Sequence, residues 1–236
     1  MKKTIFIFFL SSISYSAANA QGYFEMGYRV GHLKCDNLNR SVYVYNYTRK
    51  WLDTKMDYFG NHGKGISVAY GQQFDLLGWE MGFTNFHEKH IANGLEPTTG
   101  LIAYRSIRYF NYGLYLAFPV RIINKEHLEI NFSPSFDASF NNIQLEYTHD
   151  ATMKSIEEGV TATSEGKLGS TMALSVKLFP VRWFGIDLKP FASFNFHKLD
   201  VSGVQGELQG AAAAELPDSF FSYGLNLNIV FAHRDY

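Results

Sequence analysis

Apolar side chains occupy every second position over much of the chain, as in a strand whose two faces meet different surroundings. The longest such segment spans residues 128–140, in which the even positions are mostly apolar and the odd ones carry Glu, Asn, Ser or Asp. Similar alternation recurs over residues 24–31, 66–71, 77–83, 112–121, 172–178, 186–190 and 223–231. The pattern therefore predicts eight β-strands and almost no helix.

The predicted strands are joined by short and long connections in strict alternation. The short connections are residues 75–76, 123–127 and 180–183, and the long ones are residues 33–62, 87–99, 149–166 and 199–218. Transmembrane barrels show this alternation because their periplasmic turns are tight and their external loops are long. Lipid cannot satisfy a free strand edge, so the sheet must close. The predicted fold is all-β: an eight-stranded antiparallel, up-and-down transmembrane β-barrel.

The first 20 residues have the features of a secretory signal peptide. Lys2 and Lys3 precede an apolar stretch at residues 5–10, and Ala18-Asn19-Ala20 supplies small residues at a cleavage site. We expect cleavage near Ala20, so that residues 1–20 are the signal peptide and residues 21–236 form the barrel domain. Together with the strand pattern, this predicts a location in the outer membrane of a Gram-negative cell.

Composition excludes several other classes of protein. Aromatic residues make up 17% of the chain and charged residues only 18%, which is unlike a disordered protein. No apolar run is long enough for a membrane-spanning helix. The 21 basic and 22 acidic residues leave no basic excess, so we expect no nucleic-acid partner. The single cysteine, Cys35, forms no intramolecular disulfide, and we interpret it as an incidental loop thiol.

The last predicted strand contains a recognisable motif. Residues 222–229 read Ser-Tyr-Gly-Leu-Asn-Leu-Asn-Ile and resemble the β-signal, polar-x-Gly-x-x-apolar-x-apolar, that the barrel-assembly machinery reads. Across the mature chain, the architecture resembles the small outer-membrane barrels of the OmpA-transmembrane-domain and OmpX type. This resemblance implies a monomer that meets the assembly machinery during insertion and is then surrounded by outer-membrane lipid and lipopolysaccharide.

Charged residues fall on the predicted inner face of the barrel. They are Glu25, Arg29, Glu80, Arg121, Glu129, Asp137, Lys177, Asp187 and Lys189. The bore of an eight-stranded barrel is just wide enough for side chains to fill it. A single buried charge is costly, so we expect these acids and bases to pair and to plug the lumen. An ion path through the same charges is the alternative.

Aromatic residues are concentrated in the first long connection. Tyr43, Tyr45, Tyr47 and Trp51 form a candidate contact surface, because such side chains give a large contact area at low entropic cost. Alternatively, residues 41–47 alternate because they extend the first two strands beyond the membrane. The sequence leaves both interpretations open.

A catalytic role depends on the histidines near a membrane rim, His32 and His87. Residues 82–87 are faintly similar to the palmitoyltransferase barrels called PagP, but Thr84-Asn85-Phe86 stands where that family has an Asp-Ser pair. The His-x-Ser motif of the PagL deacylases is absent from the sequence. His87 and His90 lie three residues apart, so on a strand they face opposite sides and cannot share a metal. We expect neither a cofactor nor a metal.

The leading hypothesis is therefore a surface protein with a plugged lumen that acts through its external loops, in a structural role or by adhesion or ligand contact. The partner at the cell surface is unknown. A lipid A-modifying acyltransferase or deacylase that uses the rim histidines is the second hypothesis, and a small-solute channel is the third.

Overall fold

The computed structural model describes residues 21–60, 63–210 and 214–232. The predicted signal peptide, residues 1–20, lies outside the described residues. Two helices and twelve strands occur in the described part of the chain: β1 (Gln21–Lys34), α1 (Asp36–Thr48), β2 (Leu52–Thr54), β3 (Gly63–Gln73), β4 (Gly78–Leu95), β5 (Ile102–Ala117), β6 (Val120–Lys125), β7 (Leu128–Thr148), β8 (Glu158–Val181), β9 (Phe184–Asn195), β10 (Leu199–Asp200), α2 (Ser202–Gln209), β11 (Pro217–Asp218) and β12 (Phe221–Ala232).

Eight long antiparallel strands of the described chain close into a barrel. Each strand pairs with its neighbour in sequence, in the order β1, β3, β4, β5, β7, β8, β9, β12, and β12 returns to pair with β1. This last seam runs without a register shift from Tyr23 opposite Ala232 to Lys34 opposite Phe221. Strand β6 also pairs with β7 and continues the wall after Phe118 and Pro119. The predicted eight-stranded antiparallel barrel is confirmed.

The two ends of the barrel differ. At one end, which we call the turn end, strands are joined by tight turns, such as the one in which the amide of Phe74 donates to the carbonyl oxygen of Leu77. Strands β1 and β12 respectively begin and end there. The other end, the loop end, carries the long connections. The sequence prediction was wrong for two of these loops, because β4 continues to Leu95 and β8 already begins at Glu158.

Over the turn-end part of the wall, apolar side chains point outward and polar ones point inward. Met26 and Tyr28 of β1, Leu114 of β5 and Phe136 of β7 are exposed on the outside, whereas Glu25 is buried inside. This distribution is the reverse of a soluble protein's and is typical of a transmembrane β-barrel. Within the described chain, no helix has the length and apolar character needed to cross a membrane.

Towards the loop end, the alternation reverses its phase: the apolar side chains move from the outer face of the wall to the inner face. Phe140 of β7 is still exposed on the outer face, but Ile143 and Leu145 are fully buried on the inner face. Ile107 of β5 and Phe86 of β4 are buried in the same way. Beyond the apolar outer band, the barrel therefore has the ordinary arrangement of a protein in water, with an apolar interior.

Helices α1 and α2 fill that apolar interior and close the loop end; we call this pair of helices the cap. Helix α1 buries Leu38, Val42 and Tyr45, and α2 buries Val204 and Leu208. These side chains share one hydrophobic cluster with the inner-face residues of β4, β5 and β7. The alternative that residues 41–47 extend the strands is therefore wrong, since they form a helix whose buried positions follow the helical period.

Candidate functional site

An ion network occupies the interior of the barrel near the turn end. Lys189 Nζ lies 2.8 Å from Glu25 Oε2, 3.1 Å from Glu80 Oε1 and 3.5 Å from Asp187 Oδ2. Lys177 Nζ lies 2.6 Å from Glu25 Oε1. Because these residues come from β1, β4, β8 and β9, the network connects opposite parts of the barrel wall.

Neutral hydroxyl groups support the same network. The hydroxyls of Tyr23 and Tyr115 donate to the two oxygens of Glu80, at 2.9 and 2.8 Å. A separate pair, Arg121 Nη2 and Glu129 Oε2, lies 3.3 Å apart. The structure thus brings together most of the charged residues that the sequence placed on the inner face.

Arg29 and Asp137 are inward-facing but form no ion pair within the described chain. The guanidinium carbon of Arg29 lies 3.6 Å from the ring centroid of Phe191. Asp137 instead accepts hydrogen bonds from Ser135 and Thr171. Both charged residues line an internal cavity of about 80 Å³ between the ion network and the cap. A space of this size has room for several water molecules.

Hydrogen bonds fix the cap to the rest of the chain. The amide of Leu38, in the first turn of α1, donates to Asp218 Oδ2 at 2.8 Å, so a residue from the last loop caps this helix. Residues 55–60, which follow β2 and which we call the returning segment, pack beside α1. Asn39 and Asn46 of α1 each exchange two hydrogen bonds with the backbone of this segment, at Phe59 and Met56 respectively. Helix α1 is therefore held on two sides.

A buried acid–histidine pair lies beneath the returning segment. Glu88 Oε1 accepts a hydrogen bond from the amide of Gly60 at 2.9 Å and lies 2.9 Å from His90 Nε2. The ring of His90 meets that of Phe59 edge-on at 4.7 Å. The sequence interpretation missed this contact because it placed residues 87–99 in a loop. The alternation of Phe86, Glu88 and His90 is the signal that predicts their common inward direction.

The cap displays two tyrosines to solvent. The rings of Tyr43 and Tyr47, one helical turn apart on α1, stack with centroids 6.1 Å apart, and their exposed fractions are 54% and 68%. The prediction that Tyr45 contributes to an exposed surface is wrong. Its side chain is only 2% exposed, because in a helix it lies on the face opposite Tyr43 and Tyr47. Trp51 is half-buried after the end of α1.

The two rim histidines lie on the outer face of the wall, on different strands. The ring of His32 packs on Tyr223 with centroids 5.0 Å apart, and that of His87 stacks on Phe110 at 6.5 Å. Among the residues that the structure describes, no carboxylate or hydroxyl forms a hydrogen bond to either ring. The geometry does not bring these histidines together with a nucleophile or an acid, as an acyl-transfer site requires.

No metal or thiol site emerges from the described part of the chain. No group of three or more His, Cys, Asp or Glu side chains there has a metal-binding arrangement. His87 faces outward and His90 inward, as the strand period predicts. Cys35 is fully buried below the cap, where burial raises the pKa of its thiol. It lies in the connection between β1 and α1, as the sequence interpretation had it, and is part of the apolar cluster.

The comparisons with known proteins concern the fold. No protein-family model matches the sequence, and no curated protein does. The structure is similar to that of Ail, the attachment invasion locus protein of Yersinia pestis, which was solved in complex with the heparin analogue sucrose octasulfate. The two sequences are 13% identical, the match covers 90% of this chain and 99% of that chain, and the TM-score is 0.42. It is also similar to Neisserial surface protein A, with 7% identity, coverage of 90% and 97%, and a TM-score of 0.49.

Proposed function

We propose that this protein is an outer-membrane surface protein that binds a partner through its helical cap. The observation that carries the proposal is the pair of stacked tyrosines, Tyr43 and Tyr47, exposed on a helix whose opposite face is packed into the barrel. A tyrosine held in place loses little entropy when it binds, and the ring gives a large contact area.

The proposed orientation places the cap outside the cell. Secretion through the inner membrane leaves the termini of a barrel with an even number of strands on the periplasmic side, and the tight turns lie at the same end. We propose cleavage of residues 1–20 before insertion, which sequencing of the mature protein from Gln21 tests. In this orientation the apolar outer band contacts lipid and the loop end meets lipopolysaccharide. The β-signal in β12 would be read by the assembly machinery.

We also propose that the lumen is closed to solutes. Two barriers in series support this: the ion network centred on Lys189 and the apolar cluster beneath the cap. A hydrated ion that crossed the barrel would have to break the first and unpack the second. Purified protein in planar bilayers should therefore show no steady openings, and stable nanosiemens conductance would refute the closed lumen.

The contact function is tested with purified protein in lipid nanodiscs on an array of immobilised soluble proteins and polysaccharides. Tyr43→Ala with Tyr47→Ala should weaken binding to the array component that the unaltered protein captures by about tenfold or more, the range of interface hot spots. The matched control is Tyr58→Ala, which removes a tyrosine of similar exposure, 48%, outside α1.

Folding of each variant is checked by the mobility shift of the unheated barrel on denaturing gels. Binding that survives the double substitution, or that Tyr58→Ala reduces equally, would overturn the assignment of the contact to α1. Absence of binding to every component would count against the contact function itself.

A further inference from the structure

A recess of about 90 Å³ lies at the loop end, beside the C-terminal end of α1. Two arginines line it: Arg49, which directly follows α1, and Arg105 from β5. The rings of Tyr45, Trp51 and Tyr147 also line it. This recess is separate from the internal cavity, whose lining includes none of these residues. It also lies above the phase reversal of the strands, outside the apolar outer band.

Neither arginine has a carboxylate partner in the described chain. The guanidinium carbon of Arg49 lies 4.3 Å from the ring centroid of Tyr45, and its Nη1 donates to Thr48 Oγ1 at 3.3 Å. Arg105 Nη2 donates to the carbonyl oxygen of Glu207 at 3.0 Å, and its buried Nε has no hydrogen-bond partner. Both guanidinium groups are thus held in place by neutral contacts.

The one carboxylate that lines the recess, Glu96, forms no ion pair with either arginine in the described chain. Glu96 Oε2 accepts hydrogen bonds from Thr99 Oγ1 at 2.9 Å and from the Tyr147 hydroxyl at 3.2 Å. The same oxygen lies 4.0 Å from His149 Nε2. Two arginines against one carboxylate leave the recess with an excess of positive charge.

The two guanidinium groups lie close enough to influence one another. Burial lowers the pKa of Arg49, the neighbouring Tyr45 hydroxyl raises it, and the positive charge of Arg105 lowers it further; no carboxylate is among these groups. Holding two like charges in a half-buried recess is unfavourable unless an anion neutralises them. A planar guanidinium group is also the side chain best suited to bind the oxygens of sulfate, phosphate or carboxylate.

We propose that this recess binds one anionic group, a sulfate or phosphate ester carried by an extracellular saccharide, between Arg49 and Arg105. The volume admits a single such group and not a polymer. The sugar that carries the group would lie against Trp51 and Tyr147, since aromatic rings offer flat apolar faces to sugar rings. This inference deepens the proposed contact function, because it names the chemistry of one ligand of the external surface.

The test is titration calorimetry on the full mature protein in nanodiscs made from uncharged lipids. The probes are glucose 6-phosphate, glucosamine 6-sulfate, inorganic phosphate, inorganic sulfate and glucose. We expect saturable binding of one or both sugar esters, weaker binding of the free anions, and none of glucose. The affinity should fall as salt is raised, because the attraction is between charges near the surface.

The variants separate the recess from general surface charge. Arg49→Gln should weaken binding of the sugar ester by about tenfold or more, as loss of a charge-assisted hydrogen bond does. The matched control is Arg40→Gln, which removes an exposed arginine of the same helix outside the recess and should leave the affinity unchanged. Arg105→Gln could also loosen the contact with Glu207, so Arg105→Lys serves as a second variant and should restore part of the affinity.

Three results would overturn the proposal: no saturable binding of either sugar ester, equal losses in Arg49→Gln and Arg40→Gln, or free anions that bind as tightly as the esters. The proposed contact through Tyr43 and Tyr47 is tested by different substitutions. If the sugar esters bind but array binding survives the double tyrosine substitution, the contact through α1 fails and the recess stands. Array binding that depends on the two tyrosines, without saturable binding of either ester, would reject the recess alone.

Discussion

Replacing Lys189 with methionine removes the ammonium group at the centre of the ion network while keeping most of the side-chain volume. Three carboxylates then lose a partner within 3.5 Å, those of Glu25, Glu80 and Asp187. Lys177 still pairs with Glu25, but Glu80 and Asp187 keep only hydrogen bonds from Tyr and Ser hydroxyls. Two buried carboxylates are therefore left without a cation.

Removing one partner of a buried ion pair costs about 3–5 kcal/mol. Hydroxyl donors remain at both orphaned carboxylates, so we expect the lower end of this range, a loss of about 3 kcal/mol in the free energy of unfolding. Adding Glu80→Gln should restore about 1 kcal/mol or more, because the second substitution removes one of the uncompensated charges.

The assay is reversible urea unfolding in phospholipid vesicles, followed by the fluorescence of the three tryptophans. The matched control is Lys154→Met, which removes an exposed lysine in the β7–β8 loop. A loss within about 0.5 kcal/mol of the control, the range of ordinary surface substitutions, would refute the reasoning. It would mean that water reaches the network and screens its charges.

Three further predictions follow from particular contacts. A Cβ on Gly27 would clash with the Leu227 carbonyl oxygen, so Gly27→Ala should lower the folding yield by disturbing the β1–β12 seam. Gly166→Ala, which has open space around it, should fold normally, and equal yields of the two variants would contradict the close approach at Gly27. Cys35 should react with iodoacetamide at pH 8 far more slowly than free cysteine, since burial raises its pKa, and rapid labelling of folded protein would show that the cap opens readily. Asp218→Ala should lower the opening free energy of α1, measured by hydrogen exchange, by about 0.5–2 kcal/mol, whereas Asp218→Asn keeps an acceptor and should lose less. Unchanged protection in Asp218→Ala would show that the hydrogen bond from Leu38 to Asp218 does not stabilise the start of α1.

The barrel itself was predictable because closure in lipid leaves few alternatives. A strand that crosses the membrane must show apolar residues to lipid at every second position, and this period is visible in the sequence without tertiary information. The inward direction of Glu25, Glu80 and Lys189 follows from the same period. Their mutual distances do not, because these depend on the register between strands that are far apart in sequence.

The cap was not predicted, since its sequence carries two periods at once. Tyr43, Tyr45 and Tyr47 alternate as in a strand, whereas Leu38, Val42 and Tyr45 are spaced by four and three residues as in a helix. Tertiary packing decides between them: the inner face of β5 and β7 offers an apolar surface at this level, and only the helix buries its three apolar residues against it. The reversed phase of β7 after Phe140 is the signal in the sequence that such a surface exists.

That reversal should mark the membrane boundary, which yields a last prediction. Phe140 and Gln144 both point outward on β7, about 13 Å apart along the strand. A nitroxide label at each position, introduced as Phe140→Cys or Gln144→Cys in a Cys35→Ala background, reports its surroundings through collisions with lipid-soluble oxygen or a water-soluble nickel complex. We expect collisions with oxygen to dominate at position 140 and collisions with the nickel complex at position 144.

The matched pair on β5, Leu114→Cys and Arg108→Cys, should behave in the same way, because these residues stand opposite Ala138 and Gln144 in the register. If oxygen dominates at all four positions, the upper strands lie in lipid, and the reversed pattern reflects only the packing of the cap.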